Sequence, residues 1–147
     1  MAAALALAGC GAGHGPTPDA HPTRQFAAIA SSICANADAN IEALHATGGS
    51  LAALARATAR EVPIIDGELT QLAALTPPAR ERAPYRAALA LSHHALGLVA
   101  RLVAAVRAGD RAQAGVLALR ARAADAAAKT AMAGLGLAAC AREALPG

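Results

Sequence analysis

Apolar residues recur along this chain at steps of three and four, and four such stretches occupy most of it after residue 23. That spacing lines one face of a helix. The first stretch, 24–46, places Phe26, Ala30, Ile33, Ala37, Ile41 and Leu44 on one face, with Cys34 at its flank. Thr23 is positioned to cap its start and Gly48-Gly49 to stop it. The second, 51–76, begins after Ser50, a natural N-cap, and carries Leu51, Leu54, Thr58, Val62, Ile65, Leu69 and Leu72 in register. The register passes through Pro63 and Gly67. Because Pro63 lacks a backbone donor and crowds the preceding turn, the spacing predicts one kinked helix rather than two helices. Glu61, Asp66 and Glu68 gather at this weak point and read as a solvated acidic kink.

Pro77-Pro78 ends the second helix and opens the third, since proline is tolerated in a first turn. Tyr85, Leu89, Ser92, Leu96, Val99, Val103 and Val106 form an unbroken stripe there, widened by Leu91, Leu98 and Leu102. This is expected to be the most buried helix. Gly109 stops it, and Asp110 with Gln113 makes a capping box for the fourth. In the fourth helix Ala112, Val116, Leu119, Ala123, Ala126, Thr130, Ala133, Leu137 and Cys140 hold the register to the end. Short connections force neighbouring helices to run antiparallel. The prediction is an all-α, up-down-up-down four-helix bundle over 23–147.

Composition narrows the classes without adding an activity. Hydrophobic residues are 56% of the 147, yet Phe26 and Tyr85 are the only aromatics, so the apolar mass is Ala and Leu and the core is thin. Net charge is +3, carried almost wholly by scattered arginines interleaved with acids. Nucleic-acid binders concentrate positive charge and add aromatic stacking platforms. This chain has neither pattern, so no nucleic-acid partner is expected; loose attraction to an anionic membrane surface fits somewhat better.

The N-terminus carries an address. Residues 1–9 are apolar and small, and a breaker-rich stretch follows through Pro22. An apolar centre and a small-residue cleavage site are two of the three parts of a signal peptide. The third, a basic start, is absent, so 1–9 reads as an incomplete signal with its true start upstream of Met1. Leu7-Ala8-Gly9-Cys10 resembles the lipobox of bacterial lipoproteins at all four positions. The resemblance implies lipid transfer to the Cys10 thiol and cleavage before it, anchoring the chain on the extracytoplasmic face of the membrane. The alternative is an incidental cysteine in an Ala-rich start. Residues 10–22 then form a flexible tether. Gly11, Gly13 and Gly15 belong to it, since a phosphate-cradling loop needs a strand before and a helix after.

With Cys10 assigned to lipid, Cys34 and Cys140 are an even pair in an oxidising compartment. A bridge between the first and fourth helices is topologically allowed. Cys140 lies about 45 Å along the fourth helix, whereas Cys34 is about 18 Å from the end of the first. An extended 45–50 connector, about 20 Å long, makes up the difference. Two buried free thiols are the alternative. The chain as a whole resembles small lipoproteins of high-GC Gram-positive bacteria, on Cys34-Ala35-Asn36 and Asn40-Ile41, Leu72 to Pro78, Ala108-Gly109-Asp110 and Gly136-Leu137-Ala138-Ala139-Cys140. That resemblance implies a disulfide-closed helical bundle at the cell surface and brings no activity with it.

Candidate chemistry is sparse. The two facing Glu-x-x-His motifs of the di-iron bundles are not both present, and there is no Cys-x-x-Cys. His93 and His94 point about 100° apart and share stripes with arginines, so both are expected at the surface. His45 is at a frayed helix end, and His14 and His21 lie in the tether. Ser92-His93 has no acid on the same face, so no catalytic residue is named. Asn36 and Asn40 sit at the edge of a core face, placed either for carbonyls freed by Pro63 or for a partner. The expectation is a non-enzymatic, surface-tethered interaction or envelope-associated module with no metal or cofactor. The alternative is a small-ligand-binding protein with an apolar or lipid-accepting cleft where Pro63 and Gly67 loosen the second helix. A pocket lined by two or more convergent polar groups favours the alternative; a solid Ala/Leu core favours the first.

Overall fold

The computed structural model describes residues 20–44 and 50–141, with side chains from Thr23 onward except Leu51. Residues 1–19, including Cys10 and the stretch 1–9 expected to be a signal, and most of the 45–50 connector with His45 lie outside the described residues. The described chain is all-helical: α1 (Ala20–Glu42), α2 (Leu51–Ala73), α3 (Arg82–Arg107) and α4 (Arg111–Gly134). Short 3-10 turns at Ala79–Glu81 and Ala138–Ala141 precede α3 and end the described part. The four helices form a bundle.

Local chemistry sets most of the boundaries. Ser50 accepts a hydrogen bond from the Ala53 amide at 3.1 Å, and Asp110 accepts one from the Gln113 amide at 2.9 Å. Gly109 adopts a left-handed φ of 73°. Around it the Gly109 and Asp110 amides donate back to the Val106 and Ala105 carbonyls, the paired bonds of a Schellman turn. α2 runs unbroken through Pro63.

Three expectations on boundaries are corrected. α1 starts at Ala20, so residues 20–22, expected in the tether, are helical; Pro22 falls in the first turn, where no helical amide bond is lost. Thr23 therefore does not cap the helix; its hydroxyl receives a hydrogen bond from Arg80 at 3.3 Å. α4 does not continue to Cys140. It ends in a second Schellman turn at Gly136, φ 74°, with Leu137 donating to Met132 and Gly136 to Ala133. Leu137 and Met132, the two residues such a turn brings together, are both buried.

The reversal places the Ala138–Ala141 turn between α1 and α4, whose backbones do not otherwise meet among the described residues. Around the bundle, α1 packs on α2, α2 on α3 and α3 on α4, and the terminal turn closes the circle. Cys34 and Cys140 form a disulfide across that closure, 106 residues apart in sequence, with Cα atoms 5.1 Å apart. The main core gathers the start of α1, the end of α2, the start of α3 and the end of α4, around Phe26, Leu72, Tyr85 and Met132. Phe26 and Tyr85 meet edge to face with centroids 5.0 Å apart, and the Tyr85 hydroxyl donates to the Leu72 carbonyl at 2.8 Å. A smaller cluster of Leu98, Ala105, Leu117 and Ala121 joins α3 to α4 at the other end.

The predicted face of α4 is also corrected. The helix buries Leu117, Ala121, Ala128 and Met132, while Val116 and Leu119 are 50% and 71% exposed. α4 is apolar on two sides, and periodicity alone does not rank them. The outward stripe is flanked by Arg120 on one side and Arg111 and Arg122 on the other, so turning it inward would bury guanidinium groups. On α3, Leu91 is exposed rather than part of the core seam. α3 with its preceding turn is long and apolar enough to cross a membrane by composition, but it packs between α2 and α4.

Candidate functional site

Between the helices, next to the disulfide, lies a cleft of about 120 Å³. α2 contributes the largest share of its wall through Thr58, Glu61, Val62, Ile65, Glu68 and Leu69. α1 adds Asp38 and Ile41, α3 adds Ser92, Ala95, Leu96 and Val99, and α4 adds Asp125, Ala128 and Lys129. Ala139 and Cys140 complete it from the terminal turn. Ala95 and Ala128 are the reason the space exists: leucine at either position would project into it.

Four carboxylates and one ammonium converge on this cleft. Each acid occupies a position that the helical repeat reserves for the core. Asp38 follows Cys34 by four residues and precedes Ile41 by three; Asp125 stands the same way between Ala121 and Ala128. Glu61 and Glu68 lie one helical step on either side of Ile65. Residues so spaced share a face, so the backbone turns all four inward.

Their environments differ. Asp125 pairs with Lys129 at 2.6 Å, one turn along α4. Glu61 is buried, with 6% of its surface exposed. Glu68 is half-buried, and desolvation, helped by the nearby charge of Asp38, raises its pKa from 4.5 to about 7. Its carboxylate lies within 4.8 Å of the sulfurs of Cys34 and Cys140. Those sulfurs are bonded to each other, so they offer no thiolate to a metal.

The sequence-named residues fall out as follows. Cys34 and Cys140 come together, and Cys34 is fully buried rather than at a flank. Glu61 and Glu68 leave the solvated kink assigned to them and face the cleft; Asp66 alone is exposed. Ser92 lines the cleft and donates to the Ala88 carbonyl at 3.1 Å. His93, His94, Asn36 and Asn40 are exposed. Asp38, Asp125 and Lys129 were not singled out by their sequence context. The usable signal was an acid at a core-register position in three different helices.

A cleft of this kind can hold a small molecule, orient it by charge and exclude most of its water. Comparison of the chain with protein-family models, with curated proteins and with solved structures finds no match.

Proposed function

We propose that this chain is a small bacterial lipoprotein, held at the extracytoplasmic face of the membrane by an acylated Cys10, whose helical domain binds a small ligand without converting it. The observation that carries the binding role is the convergence of charged groups from α1, α2 and α4 on one cleft with apolar walls. A solid Ala/Leu core would have favoured an interaction module alone; convergent polar groups in a cavity favour a ligand. The anchoring and localisation rest on the lipobox at Leu7-Ala8-Gly9-Cys10.

Size and charge narrow the ligand. The cleft, at about 120 Å³, is slightly smaller than the cavity of about 150 Å³ that accepts benzene in another protein. The ligand therefore buries on the order of six heavy atoms. With Asp125 paired to Lys129, the carboxylates of Asp38 and Glu68 select a cationic or strongly hydrogen-bond-donating head, and Ile41, Ile65 and Val99 suit a short apolar body. A compact amine meets all three conditions better than the apolar or lipid-like ligand expected from sequence. Its affinity rises as pH passes through about 7, where Glu68 gains its charge.

Thermal shift against small aliphatic amines, with the matched alcohols and carboxylic acids as controls, tests the cleft. Mass action predicts that an amine at a hundred times its Kd stabilises the fold by about 2.7 kcal/mol. That gain is lost in Ala95→Leu, which fills the space, and reduced in Glu68→Gln. No shift with any amine, or equal shifts with the alcohols, overturns the reading. The anchor is tested separately by fatty-acid labelling of the chain expressed in a bacterial host. Label absent, or retained in Cys10→Ser, removes it.

A further inference from the structure

Among the described residues, the outward stripe of α4 has no partner. Leu119 and Val116 are its large residues, at 71% and 50% exposure, and Ala112, Gly115, Ala123 and Ala126 extend it as exposed small positions. At about 100° per residue these six fall within an arc of about 100°. Arg111 and Arg122 border the arc on one side and Arg120 on the other, all exposed. Arg101 of α3 adds a further exposed cation beside Arg120, the two lining one shallow depression between the helices. Between residues 97 and 124 the chain carries five arginines (101, 107, 111, 120 and 122) against one acid, Asp110, whose carboxylate caps α4. Of the cleft's acids, Asp38, Glu61 and Glu68 lie on α1 and α2, and Asp125 of α4 is paired with Lys129.

We propose that this face of α4 docks on an anionic lipid surface, with Leu119 and Val116 entering the headgroup region and the bordering arginines pairing with lipid phosphates. Three features select this occupant. Both borders are arginine, so a second copy laid on the stripe would oppose like charges in either orientation. The stripe is about 21 Å long over its 15 residues and about 10 Å wide, roughly a quarter of the 800 Å² per partner of a stable protein interface. It is also convex and shallow, which a planar fluid surface accommodates without shape matching. Arginine is suited to such a border, because its aliphatic stem lies along apolar surface while the guanidinium reaches phosphate. Neither the cleft ligand nor the Cys10 anchor is needed for this docking.

The test uses the full chain carrying Cys10→Ser, so that no acyl group contributes, and vesicles of phosphatidylcholine with or without phosphatidylglycerol. Co-sedimentation is expected with the anionic vesicles at low salt, declining steeply as salt rises, and absent with pure phosphatidylcholine. At about a factor of five per arginine, Arg120→Ser with Arg122→Ser lowers the partition coefficient about 25-fold. Leu119→Ser lowers it severalfold while leaving the salt dependence unchanged. These side chains are exposed, and circular dichroism of each variant confirms that the fold is kept. Equal binding to both vesicle types, or full binding by the double arginine variant, overturns the proposal. So does binding to soluble polyglutamate without vesicle binding, which would assign the face to an acidic protein, or concentration-dependent dimerisation that Leu119→Ser abolishes.

Discussion

The two ends of the bundle are built from different materials. One end concentrates both aromatics, Met132, Leu72 and the disulfide in a core to which all four helices and the terminal turn contribute. The other carries a smaller cluster that joins α3 to α4 through Leu98, Ala105, Leu117 and Ala121, with no aromatic and no crosslink. The cleft lies next to the first end, where its carboxylates are held by α1, α2 and α4 at once. The basic apolar face lies on the second. A rigid end positions charges, and a simpler end presents a surface.

That contrast is open to direct attack, and the crosslink is the largest lever. Cys34→Ser with Cys140→Ser frees a loop of about a hundred residues, expected to cost about 4–5 kcal/mol in the chain-entropy model. Denaturation by urea, compared with the oxidised wild type, measures it; similar stability with and without the bond would mean that the first end needs no staple. Next comes the difference between the cores. Leu72→Ala in the crosslinked core should cost about 4 kcal/mol, towards the upper part of the range for such truncations, and Leu117→Ala in the hairpin about 3 kcal/mol. Urea midpoints read both, and equal losses would erase the distinction.

Glu68 supplies a subtler probe. Its carboxyl titrates at about 7 in the fold against 4.5 in the unfolded chain. The folded state thus binds the proton more tightly, so the group's stabilising contribution is complete below 4.5 and is lost as pH climbs to about 7. Screening by solvent at this half-buried site reduces the effect to about 2 kcal/mol. Thermal melts between pH 4 and 8 should show this loss in the wild type and not in Glu68→Gln, which should melt higher at pH 8. An unchanged profile in Glu68→Gln would place the titration elsewhere. Smallest is Asp110→Ala, expected to cost about 1 kcal/mol by removing the cap of α4, read in the urea midpoint.

How far these features were legible depends on what each required. Ser50, Asp110 and Gly109 act within a few residues, so their roles can be read from the sequence and appear in the hydrogen bonds. The Cys34–Cys140 pairing was legible by elimination. The turn at Gly136 was hidden because apolar spacing says which side of a helix is greasy, not where the backbone stops. The inward side of α4 was ambiguous because Ala and Leu occupy both sides; the flanking arginines held the missing information. Glu61 and Glu68 look solvated in sequence because a carboxylate's burial is decided by other helices, here α1, α3 and α4. Thr23 was passed over as a cross-helix contact for the same reason: Arg80 is 57 residues away.

Gly136 has one more consequence, in time rather than in space. By turning the chain back it gives Cys34 a partner 106 residues later. At ribosomal rates of about 5–20 residues per second, Cys34 exists for about 5–20 s before that partner is made. The hairpin of α3 and α4 is local and can assemble on its own contacts, whereas the bond joins the earliest helix to the last turn. Oxidation of this pair therefore marks a molecule whose Ala138–Ala141 turn has reached α1, and a mixed disulfide on Cys34 marks one caught before that turn arrived.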